Sequence, residues 1–354
     1  MKKILYLTNI EVPYRVRFFN DLAEHCDLTV LFERRKSKNR DSKWSGSEKI
    51  KFRYKYLDGI NIGNENSFSL KIIKEIFSDY DKIIVGCYNS PVQMMAIVLM
   101  KIFRKKYFIN VDGEPFLQEK GLKHKLKMFF MRGAEKYLVA GKTNVKSLEP
   151  LGENLDVVPY YFSSLSDEEI EKNAVSVKRN DTVIVVGQYL DCKGVDVAVK
   201  TAKADKENKY KFIGMGKKTD LFKQEQKTDD MHNVEVIPFL EKSDLEKEYA
   251  SCGIMVLPSR KECWGLVVNE AASFGTPIVS TTGSGAAVEF LSGSKYSCYL
   301  AEAGDEKSLL EKINMLRENK NIEEYSAYLL EKSKNYSIEK SVEKHLEALG
   351  IIGR

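Results

Sequence analysis

The chain has 354 residues, of which 43% are hydrophobic and 30% charged, so it exceeds one typical domain, is not disordered throughout, and has material for two cores of about 170 residues each. The net charge of +5 is unevenly spread: residues 1–160 carry 29 Lys and Arg against 19 Asp and Glu, net +10, whereas residues 161–354 carry 27 against 32, net −5. Six scattered cysteines (Cys26, Cys87, Cys192, Cys252, Cys263, Cys298) form no C-x-x-C pair and imply a reduced, cytoplasmic setting, and neither a signal peptide nor a membrane-spanning run is visible.

Strand-like apolar runs alternate with helical segments through the first half: Ile4–Leu7, Leu28–Phe32, Ile83–Val85, Tyr107–Val111, Tyr137–Val139 and Val157–Val158. Such alternation implies a parallel sheet with crossover helices. Between Tyr161 and Asn180 the chain turns polar, with Ser163-Ser164 and Asp167-Glu168-Glu169, and reads as a linker. The alternation resumes at Val183–Val186, Lys211–Ile213, Val234–Ile237, Ile254–Leu257 and Ile278–Val279, predicting a second α/β domain of the same kind. The expected division is 1–162, 163–338, and a closing helical segment 339–354 whose apolar residues Val342, Leu346 and Leu349 have helical spacing.

The densest chemistry lies between the last two strands, in Pro258-Ser259-Arg260-Lys261-Glu262-Cys263-Trp264-Gly265-Leu266-Val267-Val268-Asn269-Glu270. Pro258 ends the Ile254–Leu257 strand, and Leu266 to Phe274 carries helix formers until Gly275 stops it. Glu262 is then expected on a loop at a strand's carboxyl end, with Glu270 one to two turns into the helix. In open parallel sheets ligands bind beyond the carboxyl ends of strands, and a helix opening there aims free N–H groups at anions. The loop suits a phosphate, with a carboxylate on either side able to accept hydrogen bonds from sugar hydroxyls.

This stretch resembles the signature of the retaining GT-B glycosyltransferases, group 1, of the Glu-x7-Glu type: Pro258, Ser259, Glu262, Gly265, Glu270, Ala271 and Ala272 meet the pattern. Gly283-Ser284-Gly285 with Glu289 is similar to the family's next glycine-rich loop and acid, and Val183–Val186, Gly187, Gln188, Lys193 and Gly194 resemble its strand-to-helix phosphate loop. The resemblance covers residues 181–290 well and the first half only in architecture. It implies a fold of two Rossmann-like doubly wound domains with an interdomain cleft, and transfer of a sugar from a nucleoside diphosphate donor, expected to be UDP-linked, to a saccharide or lipid-linked saccharide in cell-surface glycan synthesis. The implied chemistry needs no cofactor and no metal.

Carried onto this chain, the resemblance implies that Lys193 is the principal cation on the leaving diphosphate, aided by N–H groups near Gly265 and Leu266, that Glu262 holds the donor sugar's hydroxyls, and that Glu270 receives the ribose. The resemblance also implies that Gly187, Gly214, Phe239 and Leu240 border the nucleotide. Gln188 stands where the family usually has an arginine, so one diphosphate contact lacks charge, and Arg260 and Lys261 are candidates to compensate. In the first half Asn9 to Arg15 contains no glycine where relatives have a glycine-rich loop, and Arg15 is a candidate for the diphosphate. Asp112, and less so Glu114, follow a strand end where relatives place a polar residue near the reacting carbon. Alternatives are a catalytically inactive relative that binds a nucleotide sugar or glycan, motivated by Gln188, and a GT-B sugar epimerase.

Other patterns resolve as decoys. Gly141-Lys142-Thr143 lacks the earlier glycine of a P-loop, because position 136 is Lys136, and Gly214 and Gly216 lack the third glycine of a dinucleotide fingerprint, position 219 being Thr219. Asp79-Tyr80-Asp81 precedes a strand rather than ending one, and His25, His124, His232 and His345 have no ligand-like spacing. Two basic, aromatic-bearing segments, Lys101 to Tyr107 and Lys120 to Lys136, point to an anionic membrane surface and a peripheral location rather than to nucleic acid.

Overall fold

The computed structural model describes residues 1–35, 48–62, 66–86, 88, 90–113, 121–174, 177–216, 219, 222 and 231–353. The chain divides into two compact units, one formed by Met1–Phe162 with Ile338–Arg354 and the other by Ser163–Ser337.

The first unit is built on β1 (Lys3–Ile10), β2 (Asp27–Arg34), β3 (Arg53–Tyr56), a small antiparallel hairpin of β4 (Ile60–Ile62) and β5 (Asn66–Phe68), then β6 (Lys82–Val85), β7 (Phe108–Val111), β8 (Lys136–Ala140) and β9 (Val157–Tyr160). Seven of these pair in parallel in the order β3-β2-β1-β6-β7-β8-β9, with Leu5 opposite Thr29 on one side and Ile83 on the other. Central strands covered on both faces read as unbroken apolar runs, and Ile4, Leu5, Tyr6 and Leu7 are all buried. Pro13 and Pro91 open the crossover helices Pro13–His25 and Pro91–Ile102, where a missing N–H costs nothing. The last helix, Ile338–Leu349, packs on Pro13–His25 and β9 through buried Val342, Leu346 and Leu349, and so belongs to the first unit.

The second unit carries β10 (Thr182–Val186), β11 (Lys209–Ile213), β12 (Val234–Ile237), β13 (Ile254–Leu257), β14 (Ile278–Thr281) and β15 (Leu300–Ala301), all parallel, in the order β12-β11-β10-β13-β14-β15. Both halves are therefore Rossmann-like. In each, successive strands run outward one way from the first strand and then restart on its other side, which makes the gap beside β1 and the gap between β10 and β13 topological switch points.

Two sequence expectations change. The polar segment after Tyr161 is not an open linker: it folds into the helix Asp167–Asn173, started by a capping box in which Ser166 accepts from the Glu169 N–H and Glu169 accepts from the Ser166 N–H at 2.8 Å. Strands β3, β4, β5 and β15 are additional to the expected set. β3 lies at a sheet edge with Arg53, Tyr54 and Lys55 exposed, and so lacks the apolar run of a central strand.

Candidate functional site

The switch point of the second unit gathers three loops. After β10 the chain turns through Gly187 to a short 3-10 turn, Asp191–Lys193, and enters the helix Val195–Ala204. Gly194, at φ +63, is both left-handed and pressed on the neighbouring loop: a Cβ there lies 2.0 Å from the Pro258 carbonyl oxygen. The same neighbour is stitched on by the Arg260 and Lys261 N–H groups, which donate to the Cys192 carbonyl at 2.9 and 3.0 Å. The third loop, Gly283-Ser284-Gly285 after β14, lies beside Glu262, whose N–H donates to the Gly283 carbonyl at 2.8 Å. A side chain at Gly283 meets the Ser259 and Arg260 carbonyl oxygens at 2.5 Å, so the glycine permits the approach.

This backbone arrangement brings Lys193 and Glu262, 69 positions apart in sequence, into an ion pair. The pair is half-buried, with 27% of the Lys193 side chain and 15% of the Glu262 side chain exposed. Ser259 Oγ donates to the same Glu262 carboxylate oxygen at 3.3 Å. Beside them Gly265, at φ +103, caps the helix Leu266–Ser273, whose first-turn N–H groups have no acceptor inside the helix. The loop is held from below by buried Trp264, whose Nε1 donates to Asn269 Oδ1 at 2.8 Å. A cation, a carboxylate and a helix N-terminus thus share one edge of one sheet, suited to a group that is anionic in one part and hydroxylated in another.

Glu270 has hydrogen-bond partners of its own. Its two carboxylate oxygens accept from Ser164 Oγ at 3.1 Å and Tyr249 OH at 3.0 Å, and burial raises its pKa, opposed by those two hydrogen bonds. An ionised carboxyl has about four acceptor sites, so two ligand hydroxyls can still be received. Gly187 and Gly214 adjoin at the ends of β10 and β11, a Cβ on Gly214 lying 3.2 Å from the Gly187 carbonyl. Phe239 and Leu240, just past β12, are half-buried, and Gln188 is exposed.

Arg260 is not an open cation. It holds Asp196 with two hydrogen bonds of 2.6 Å and the Asp191 carbonyl at 2.9 Å, and its hydrogen bond is the main reason the Asp196 pKa is lowered. Its charge is paired within the unit, as that of Lys193 is with Glu262. Lys261 is exposed.

In the first unit Arg15 is buried and pairs with Asp112, while its other nitrogen approaches Tyr6 OH at 3.4 Å. Asp112, beyond the carboxyl end of β7, also accepts from Tyr160 OH and from Asn110 Nδ2 at 2.6 Å. Arg15 is committed to a carboxylate of its own unit. Glu114 lies outside the described residues, and among those described no three His, Cys, Asp or Glu side chains converge as a metal cage. Tyr249, Ser164, Asp196, Tyr160 and His345 were not read as site residues, because each reaches its partner through the tertiary fold; Asn110, two positions before Asp112, was missed although its contact is local.

Residues 166–336 match the family model described as Glycosyl transferases group 1, so a domain of that type spans nearly all of the second unit. An uncharacterized glycosyltransferase of Methanocaldococcus jannaschii is 26% identical over 335 residues, covering 82% of this chain and 93% of that one. Among solved structures, Anabaena HepE in complex with UDP-glucose aligns at TM-score 0.69 with 14% identity, covering 99% of this chain and 100% of that one. WaaG, a glycosyltransferase involved in lipopolysaccharide biosynthesis, aligns at TM-score 0.67 with 13% identity, again over 99% and 100%. The fold is that of the GT-B glycosyltransferases.

Proposed function

We propose that the chain is a retaining glycosyltransferase that moves a sugar from a UDP-sugar to a saccharide or lipid-linked saccharide of the cell surface. The observation that carries this reading is the Lys193–Glu262 pair beside the Gly265 helix start, at the switch point of a group 1 glycosyltransferase domain. Support for the nucleotide comes from HepE, solved with UDP-glucose, and support for the acceptor class from WaaG, described as acting in lipopolysaccharide biosynthesis.

In this reading the diphosphate sits against the first turn at Leu266 and draws Lys193 toward itself. Lys193 then offsets the negative charge that grows on the leaving phosphate, while Glu262 keeps the sugar's hydroxyls and Glu270 the ribose. Fixed donors of this kind each lower a barrier by roughly 3 kcal/mol. The leaving phosphate takes the acceptor's proton on the same face, which gives retention without an enzyme nucleophile. From the resemblance, Asp112 of the first unit is the candidate on the acceptor side. The test is mass spectrometry of the protein incubated with a panel of nucleotide sugars, followed by NMR of the released or transferred sugar. Transfer with retained anomeric configuration supports the reading, and inversion contradicts it.

Gln188 and the engagement of Arg260 with Asp196 favour a second reading, a catalytically inactive relative that binds nucleotide sugars. Saturable binding with neither transfer nor donor hydrolysis distinguishes it.

We also propose that the first unit docks on anionic lipid. The helix Leu122–Met131 buries Met128 and Met131 yet presents Leu122, Leu126 and Phe129 to solvent at helical spacing, and Lys123 and Lys125 of the same helix are exposed. Lys101 Nζ lies 4.3 Å from the Phe129 ring, and Phe103 packs on Phe77 at 4.9 Å with Lys105 beside it. Exposed apolar residues with lysines on the same helix are the composition of an interfacial helix. Failure to pellet with anionic vesicles at low salt contradicts this part.

A further inference from the structure

The protein carries its own anion in the place proposed for the phosphate. The Glu262 carboxylate pairs with Lys193, and among the described residues it is the only ion-pair partner that Lys193 has. Its side chain also lies against the helix start: Glu262 Cγ is 3.3 Å from where a Cβ on Gly265 would stand, and Gly265 caps the helix Leu266–Ser273. A helix N-terminus and an ammonium group both favour negative charge, so one carboxylate is served by the two features that the donor reading assigns to the diphosphate. Lys193 Nζ and Ser259 Oγ meet the same Glu262 oxygen, Oε2, the hydroxyl at 3.3 Å.

An incoming diphosphate has to compete with Glu262 for Lys193, so part of its attraction to the ammonium group goes into parting the pair. Once parted, the Glu262 carboxylate has lost the charged donor on Oε2 while remaining an acceptor, and a hydroxyl group is the neutral donor that suits it. The backbone around the pair is anchored independently of it. The Glu262 N–H donates to the Gly283 carbonyl at 2.8 Å, and the Arg260 and Lys261 N–H groups donate to the Cys192 carbonyl at 2.9 and 3.0 Å. The exchange of partners therefore needs a movement of two side chains, not of the loops that carry them.

We propose that the Lys193–Glu262 pair is an internal lock on the donor site: Glu262 occupies the cation until a diphosphate displaces it, and the released carboxylate then takes sugar hydroxyls. The proposal rests on the glycosyltransferase reading and deepens it by ordering the two halves of the donor, the diphosphate engaging first and switching on the sugar contact. A sugar arriving without a diphosphate meets a carboxylate whose Oε2 is already held by Lys193 and Ser259, which biases the site toward the intact donor over free sugar. Occupancy of the phosphate half and of the sugar half is thus coupled, and each raises the affinity of the other by the same factor.

The test is isothermal titration of UDP into the full chain as wild type, Glu262→Gln, Lys193→Ala and the double variant. With Lys193 released, Glu262→Gln is expected to tighten UDP by about threefold or more, the scale of a partly exposed ion pair, and the gain is expected to shrink in the Lys193→Ala background. Removing a nearby negative charge favours UDP in both backgrounds, so an equal gain in the two is simple repulsion and overturns the lock, as does no gain when Lys193 is present. Glu262→Ala repeats the comparison should the glutamine variant not fold. The pair itself is read by NMR of the lysine side-chain nitrogens: the signal missing from Lys193→Ala is expected to move in Glu262→Gln and, in the wild type, on adding UDP. A Lys193 signal unmoved by Glu262→Gln overturns the proposal. If Lys193→Ala leaves UDP affinity unchanged, the diphosphate reading itself fails; if Lys193→Ala weakens UDP while Glu262→Gln does not tighten it, that reading stands and the lock alone is overturned. If turnover is found, Glu262→Gln is expected to lower kcat while making UDP a stronger product inhibitor, and weaker inhibition by UDP overturns the lock.

Discussion

Gly194→Ala tests whether the Lys193 turn is held by its fit against Pro258. At φ +63 the alanine is left-handed, which costs about 1–2 kcal/mol for an L residue. Its methyl group falls 2.0 Å from the Pro258 carbonyl oxygen and 3.0 Å from the carbonyl carbon, backbone atoms of a loop also tied to Cys192, so the two loops must separate. Overpacking of this kind adds about 1–3 kcal/mol. Gly216→Ala is the control, because its φ is +56 and a Cβ there meets nothing within 4 Å among the described residues, leaving the backbone strain. In differential scanning calorimetry a loss of roughly 3 kcal/mol lowers Tm by about 6–12 °C for a unit of this size, and Gly216→Ala shows about a third of that. Gly194→Ala should also weaken nucleotide binding, since the turn that carries Lys193 has moved. Equal melting shifts for the two variants refute the close approach as what fixes the loop.

Glu33 is 1% exposed, accepts from Ser90 Oγ at 2.6 Å, and has its pKa raised by burial, so the folded state binds its proton more tightly than the unfolded chain and stability falls as pH rises from the unfolded pKa toward the raised one. Glu33→Gln removes that slope, and urea titrations at pH 4, 5, 6 and 7 check it: a slope as steep as the wild type's contradicts the assignment. Tyr249→Phe deletes one donor to Glu270 and should cost about 1–2 kcal/mol of stability while raising the Glu270 pKa further, which carboxyl NMR reads directly. Arg260→Ala breaks a half-exposed bidentate pair worth about 1 kcal/mol, and should leave nucleotide affinity within about twofold, because that charge is already neutralised by Asp196. A large loss of affinity in Arg260→Ala restores it as a diphosphate ligand.

The central strands were legible because a parallel strand buried on both faces leaves little room for polar side chains. Val183, Ile184, Val185 and Val186 are all buried, as are Ile254 to Leu257. Strand β3 was not legible, since an edge strand needs no apolar run and Arg53 and Lys55 face solvent. The helix Asp167–Asn173 announces itself only through Ser166 and Glu169, a capping box inside a stretch whose polarity suggests a linker. At the site, glycines mark the loops: Gly194 and Gly283 stand where backbones approach closely and Gly265 where the Leu257 and Ser284 side chains crowd a left-handed turn, and sequence spacing alone locates them. What spacing does not carry is partnership. Nothing near Arg260 in the sequence points to Asp196, nothing near Glu270 points to Tyr249 or Ser164, and the link from Asn110 to His345 spans 235 positions.

The proposed function requires Lys193 and Glu262 to frame a diphosphate site at the switch point of the second unit. Isothermal titration of UDP, and separately of UMP, into the wild type and Lys193→Ala decides this. The predicted result is one saturable site that prefers UDP, with the substitution weakening UDP by at least about tenfold, worth 1.4 kcal/mol, and UMP by much less. Equal loss for both nucleotides, or UDP affinity unchanged in Lys193→Ala, contradicts the claim.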